Sequence, residues 1–208
     1  MKLKNAVIPL LIANIVVFIL QIILGPDFTS TFMLVGADIF SRPWIAVTSM
    51  FLHGGGMHLA FNMYVLYIFG PMLESRIGTK RFLIIYFLSG IIASFASSFF
   101  YASALGASGA IMGMMGVTAI LMPDLKLLFL AIVPMPLWVA TIVIAMVDIF
   151  GIFVPHGIAN IAHLAGLATG LLYGLQLKKQ KHTQQKRFSS KTHLEKEDID
   201  QYLKSGRI

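Results

Sequence analysis

Apolar residues gather into six blocks, at approximately 6–24, 57–73, 81–101, 107–122, 125–150 and 157–177, each long enough to form a helix. Breakers punctuate them: Gly25-Pro26, Gly70-Pro71, Gly78, Pro123 and Pro155. The pattern predicts an all-α polytopic membrane protein, a bundle of six transmembrane helices. The fourth block is short, about 16 residues, and the fifth carries Pro134 and Pro136, which predict a kink. The first block reads as a retained span, since its roughly 19 apolar residues exceed the ~7–15 of a signal-peptide core. Between the first two blocks, residues 25 to 56 are too apolar for a free loop. That connection is expected to be partly embedded at the membrane interface, anchored by Phe40 and Trp44.

Basic residues orient the bundle. Lys2, Lys4, Arg76, Lys80, Arg81, Lys126 and the C-terminal tail fall on one side, and only Arg42 on the other. Both termini are therefore expected in the cytoplasm, with the second, fourth and sixth spans starting at the outer face of the cell membrane. The organisation expected is a six-helix domain over 1–177 and a basic cytoplasmic tail over 178–208.

Composition agrees with the membrane reading. Only 12% of residues are charged and the mean hydropathy is +0.82, against about 25% charged in a soluble domain. Of the net charge of +7, +5 lies in the last 31 residues (nine Lys/Arg against four Asp/Glu). That distribution suits a solvated tail and gives no nucleic-acid face. Lys178, Lys179, Lys181, Lys186 and Arg187 would also suit anionic lipid. The absence of cysteine excludes disulfides, thiolate metal sites and a Cys nucleophile.

Against this background the polar residues inside the spans carry information. The second span opens HGGGMHLAFN, with His58 and Asn62 four apart on one face and His53 before them. The fourth opens at Ser108 within GASGA. The sixth carries Asn160 and His163. The orientation puts all of them in the outer third of the membrane, on three helices. Gly166, Gly170 and Gly174 form a stripe below His163, and Gly109, Gly113 and Gly116 line the fourth span, so the two helices are able to pack backbone to backbone. A lone Ser at a helix start is ordinarily an N-cap, and a lone intramembrane His is ordinarily a packing group. Their convergence at one depth points instead to a nucleophile with its base.

These motifs resemble those of the rhomboid family of intramembrane serine proteases: H-x4-H-x3-N at His53, His58 and Asn62, G-x-S-G at Gly106 to Gly109, A-H-x-x-G-x-x-x-G at Ala162 to Gly170, and E-x-R at Glu74 and Arg76. The resemblance covers roughly residues 42 to 175. It implies Ser108 as nucleophile and His163 as general base in a dyad without an acid, with His58, Asn62 and the Ser108 N–H stabilising the oxyanion. It also implies membrane-protein substrates with transmembrane segments, and no cofactor or metal. Two positions depart from the family's habit. Trp44 is followed by Ile45 rather than Arg, and Met112 stands where an aromatic residue often packs on the catalytic histidine. Asp148, at the outer end of the fifth span, could serve as a triad acid, but the resemblance implies a dyad, and an Asp at a membrane surface reads as a capping or interfacial group. His156 is expected in solvent, and His182 and His193 in the tail. A catalytically silent rhomboid-like binder or chaperone is the alternative, less favoured because both Ser108 and His163 are present. A haem or metal protein with His58 and His163 as ligands would leave Ser108 and Asn62 without a role.

Overall fold

A computed structural model describes residues 5–129, 133–154, 157–189 and Asp200. The described residues are mostly helical. Among the described residues, six helices have 14 residues or more: α1 (Val7–Leu24), α4 (Gly56–Ile77), α5 (Thr79–Ser98), α6 (Ser108–Leu121), α7 (Leu137–Gly151) and α8 (Asn160–Ser189). By length and composition alone, α1 and α5 qualify as membrane-crossing, while α6 and α7 are shorter apolar helices.

The distribution of side chains is inverted relative to a soluble bundle. Ile22 and Ile23 on α1 and Val147 and Phe150 on α7 are exposed, whereas Asn14, Gln21, Ser89 and Thr118 are buried. Water would reject such a surface, and a lipid environment accepts it. The buried hydroxyls are satisfied within their own helices: Ser89 and Thr118 donate to the carbonyls of Ile85 and Met114. Leu66, Leu73, Phe82, Tyr86 and Met114 form the apolar centre among α1, α4, α5 and α6.

Helix α6 is the hub, with every residue from Gly109 to Ala119 buried. Its glycines explain how. A Cβ on Gly113 would overlap the Ser89 side chain of α5 on one side, and a Cβ on Gly116 would lie 2.7 Å from the Leu167 carbonyl of α8 on the other. From α8 the reciprocal contacts are Gly166 on the Gly109 carbonyl and Gly170 on the Gly113 carbonyl. The two stripes therefore meet backbone to backbone, as their spacing predicts.

Glu74 ties the opposite end together. Its carboxylate accepts from the Ala6 N–H (2.8 and 3.1 Å) and from the Thr79 hydroxyl (2.7 Å), joining the start of α1, the end of α4 and the start of α5. Gly70-Pro71 does not end the second helix, which continues to Ile77. Gly70 instead admits Val7 of α1, whose Cγ2 would lie 2.8 Å from an added Cβ.

The expected kinked fifth helix is corrected. Lys126–Phe129 (β3) and Val133–Pro136 (β4) pair as an antiparallel hairpin, and α7 begins only at Leu137. The Leu137 N–H donates to the Leu125 carbonyl, so the N–H groups of alternate residues 133 and 135 face β3. Pro134 and Pro136 then leave their missing donors on the free edge, where a strand tolerates proline.

The connection from 25 to 56 has structure of its own. Helix α2 (Pro26–Phe32) leads to strand β1 (Leu34–Val35), which pairs with β2 (Ser103–Ala104). The short helix α3 (Ile45–Thr48) packs Ile45 and Ala46 with Leu34 and Ile39, and Phe40 and Trp44 are exposed. Helix α8 runs unbroken through the expected boundary at 177/178 and carries Lys178, Lys179 and Lys181 on its exposed surface. His156 and His193 lie outside the described residues.

Candidate active site

Ser108 is the first residue of α6, yet its hydroxyl caps nothing. It instead meets α8: Ser108 Oγ lies 2.8 Å from His163 Nε2. The glycine contacts account for this proximity. Gly109 follows the serine, Gly166 sits one turn below the histidine, and the two touch through backbone atoms. No larger residue at either position allows two side chains as short as Ser and His to reach each other with both in place.

The second ring nitrogen of His163 is engaged as well. His163 Nδ1 lies 2.9 Å from Asp148 Oδ1 of α7. This corrects the reading of Asp148 as a capping or interfacial group. Its side chain is 6% exposed, and it sits in the last turn of α7, where a carboxylate has no N–H groups to cap.

His58 approaches from α4. Its Nδ1 accepts from the Gly54 N–H at 3.3 Å, which leaves Nε2 as the protonated nitrogen of the neutral ring. That Nε2 packs over Gly106. A Cβ on Gly106 would lie 3.0 Å from it and 3.8 Å from Ser108 Oγ. Gly106 also has φ +126° and donates its N–H to the Ser49 carbonyl at 2.9 Å. Position 106 therefore excludes side chains twice over, by backbone conformation and by the imidazole against it. Its openness admits the His58 ring.

Asn62 is buried one turn below, with its amide donating to the His58 carbonyl at 2.8 Å. Within this arrangement its amide is taken up by His58 rather than turned to Ser108. Asn160 bonds the Ile158 carbonyl instead of a site residue. His182 lies on α8 roughly 28 Å further along the axis from His163 at 1.5 Å per residue.

His53 precedes α4 and is buried. Its ring stands edge-on to His58, with centroids 5.1 Å apart, and the Gln21 side chain of α1 holds its backbone through both N–H and carbonyl. Burial foremost, and then the neighbouring His58, push its pKa down to about 4, while the Phe51 backbone acts weakly the other way. Met112 is buried with Met115 and Leu167. A cavity of about 30 Å³ opens beside Ser108, bordered by Leu34, Ser49, Ser94, Gly109 and Ala162, with room for a water or a small side chain. Among the described residues no cluster of three or more His, Asp or Glu side chains could hold a metal ion.

The sequence-predicted residues thus divide. Ser108, His163 and His58 are gathered at one end of α6, and Asn62 joins them through His58. Asp148, set aside as a triad acid on the family resemblance, is the group whose place differs most from its reading. Its signal was available in α7, where Leu137, Ala140, Thr141, Asp148 and Gly151 share one helical face while Val147, Ile149 and Phe150 are exposed.

Known proteins resemble the chain over most of its length. The rhomboid domain family model matches residues 41–180. Rhomboid protein 1, mitochondrial, of Saccharomyces cerevisiae is 33% identical over 195 residues, covering 88% of this chain and 56% of that protein. Rhomboid protease GluP of Bacillus subtilis is 36% identical over 165 residues, covering 74% of this chain and 31% of that protein. Rhomboid protease AarA of Providencia stuartii is 29% identical over 200 residues, covering 80% and 70%. The chain thus spans about half of the yeast relative and a third of the Bacillus one. The matched region holds both stripes of glycine, the serine and the histidine between them, and on this evidence the chain belongs to the rhomboid family.

Proposed function

We propose that this chain is an intramembrane serine endopeptidase that hydrolyses peptide bonds in or beside transmembrane segments of other membrane proteins. The observation that carries the proposal is the 2.8 Å contact between Ser108 Oγ and His163 Nε2. An N-cap serine and a packing histidine would have no reason to meet across two helices.

The chemistry follows from these atoms. Ser108 passes its hydroxyl proton to His163 Nε2 as Oγ bonds to the substrate carbonyl carbon, and the carbonyl π pair moves onto oxygen. Base assistance of this kind contributes about 10²–10⁴-fold. The oxyanion is met by the Ser108 N–H at the start of α6, whose helix dipole favours negative charge there, and by His58 Nε2–H. Asn62 joins them once its amide leaves the His58 carbonyl. Each fixed donor of this type contributes about 2.7–4 kcal/mol in known hydrolases. The imidazolium then returns its proton to the departing amine as the C–N bond breaks. Water, deprotonated by Nε2, attacks the acyl-Ser108 carbonyl and releases the second product with the serine restored.

Six helices crossing the bilayer, cytoplasmic termini and a site near the outer face of the cell membrane complete the proposal. The loop basicity supports the orientation, and water for the second step supports a site near the surface. Exposed Phe40 and Trp44 support an interfacial role for the connection between α1 and α4. The small cavity beside Ser108 favours small side chains at the cut, in segments that unwind readily, because a regular helix hides its carbonyls. The test is cleavage of a transmembrane reporter in proteoliposomes. Ser108→Ala and His163→Ala are expected to abolish turnover, and wild-type rates in both variants would refute the assignment.

A further inference from the structure

We propose that Asp148 is a positioning residue that makes the Ser108–His163 pair a triad in this chain. The inference deepens the protease reading above and rests on it.

Three features of α7 argue against a merely structural aspartate. First, the residues around it face outward. Val147, Ile149 and Phe150 are 63%, 47% and 66% exposed, whereas Asp148 is 4% exposed, so it turns inward from an otherwise apolar surface. Second, it sits in the final turn of the helix, where the dipole disfavours an anion and the unpaired backbone groups are carbonyls. A carboxylate at that position is uphill without a specific partner. Third, the partner is His163 Nδ1 at 2.9 Å. Asp148 Oδ2 is fully buried with no hydrogen bond among the described residues, so the carboxylate is committed to the histidine through Oδ1.

The consequence concerns the tautomer. An ionised carboxylate only accepts hydrogen bonds, so Nδ1 must carry the ring proton. Nε2 is then left with its lone pair aimed at the Ser108 hydroxyl, the orientation a general base needs. When Nε2 gains the serine's proton, the ring becomes a cation with Asp148 already beside it. Asp148 keeps its charge throughout and takes no proton. His58, whose Nδ1 is taken up by the Gly54 N–H, has only a donor left on its Nε2.

The test uses the full chain in detergent or nanodiscs. In ¹⁵N-histidine spectra the His163 resonance, identified by its loss in His163→Gln, is expected to report a protonated Nδ1 and a bare Nε2. Asp148→Asn presents an amide donor to Nδ1 and is expected to invert that tautomer, lowering kcat on the order of 10²–10⁴-fold with KM little changed. A bare Nδ1 in the parent overturns the proposal without any variant. So does Asp148→Asn turnover within about threefold of the parent while Ser108→Ala is dead. Full activity of Ser108→Ala would instead overturn the protease reading itself. If Asp148→Asn does not fold, Asp148→Ala read by the same kcat and KM split decides, with the same limits.

Discussion

Gly166→Ala isolates what the glycine stripes contribute to the site. The substitution adds one methyl group, and helix propensity alone would make α8 more stable by about 1 kcal/mol. The structure argues for the opposite effect on function. The new Cβ would overlap the Gly109 carbonyl oxygen and lie 2.9 Å from its carbon, both backbone atoms that no rotamer change can move. Restoring ordinary contact requires α6 and α8 to separate by about 1 Å. Ser108 immediately precedes Gly109, and His163 lies one turn from Gly166, so the separation opens at the contact between Ser108 and His163. Stretching 2.8 Å by that amount takes Ser108 Oγ and His163 Nε2 out of hydrogen-bond range. A misplacement of about 1 Å costs roughly 10²-fold in rate, or about 2.7 kcal/mol of activation free energy. Overpacking costs about 1–3 kcal/mol of stability, partly offset by the propensity gain. Activity should therefore fall much further than stability. The assay is reporter cleavage in proteoliposomes beside a thermal melt, with Gly56→Ala as control, because nothing lies within 4 Å of a Cβ there. Gly166→Ala turnover within about threefold of the parent would refute the argument that backbone contact sets the Ser–His distance.

Other outcomes follow from the remaining contacts. Glu74→Gln leaves the Ala6 N–H and the Thr79 hydroxyl competing for one amide oxygen, and should lower unfolding stability by about 1–3 kcal/mol; an unchanged melt would show that α1 docks without this clamp. His53 should make the fold acid-sensitive. The unfolded chain takes up a proton near pH 6.5 and the folded one only near 4, so the stabilisation is complete above about 6.5 and is lost as pH falls toward 4. The loss amounts to at most about 3 kcal/mol. His53→Leu should flatten that pH dependence in unfolding titrations, and an identical slope in both proteins would contradict it.

What could be read from the sequence depended on whether a pattern was local. The glycine stripes repeat every three or four residues and report on one helix face whatever surrounds it, so the α6–α8 contact and the approach of Ser108 to His163 were both legible. So was His58, whose spacing from Asn62 puts them one turn apart. The pairing of 126–129 with 133–136 was not. Its apolar run has no polar interruption to separate strand from helix, and Pro134 and Pro136 are as compatible with a kink as with a free strand edge. Gly70-Pro71 misleads in the other direction, because helix α4 continues past it and Gly70 serves contact with Val7. Asp148 shows the limit most clearly. Its helical face was calculable, since Ala140, Thr141 and Gly151 share it, but that face meets α8 at His163 only through tertiary packing.

The central claim is that Ser108 is a nucleophile made reactive by His163 across the contact of two glycine-lined helices. Its most direct test is treatment of the detergent-solubilised protein with a fluorophosphonate, followed by peptide mass spectrometry. One modification is expected, on Ser108, that disappears in His163→Ala although that variant keeps the hydroxyl. An unmodified Ser108 in the folded parent, or equal labelling of Ser108 in the parent and in His163→Ala, would contradict it.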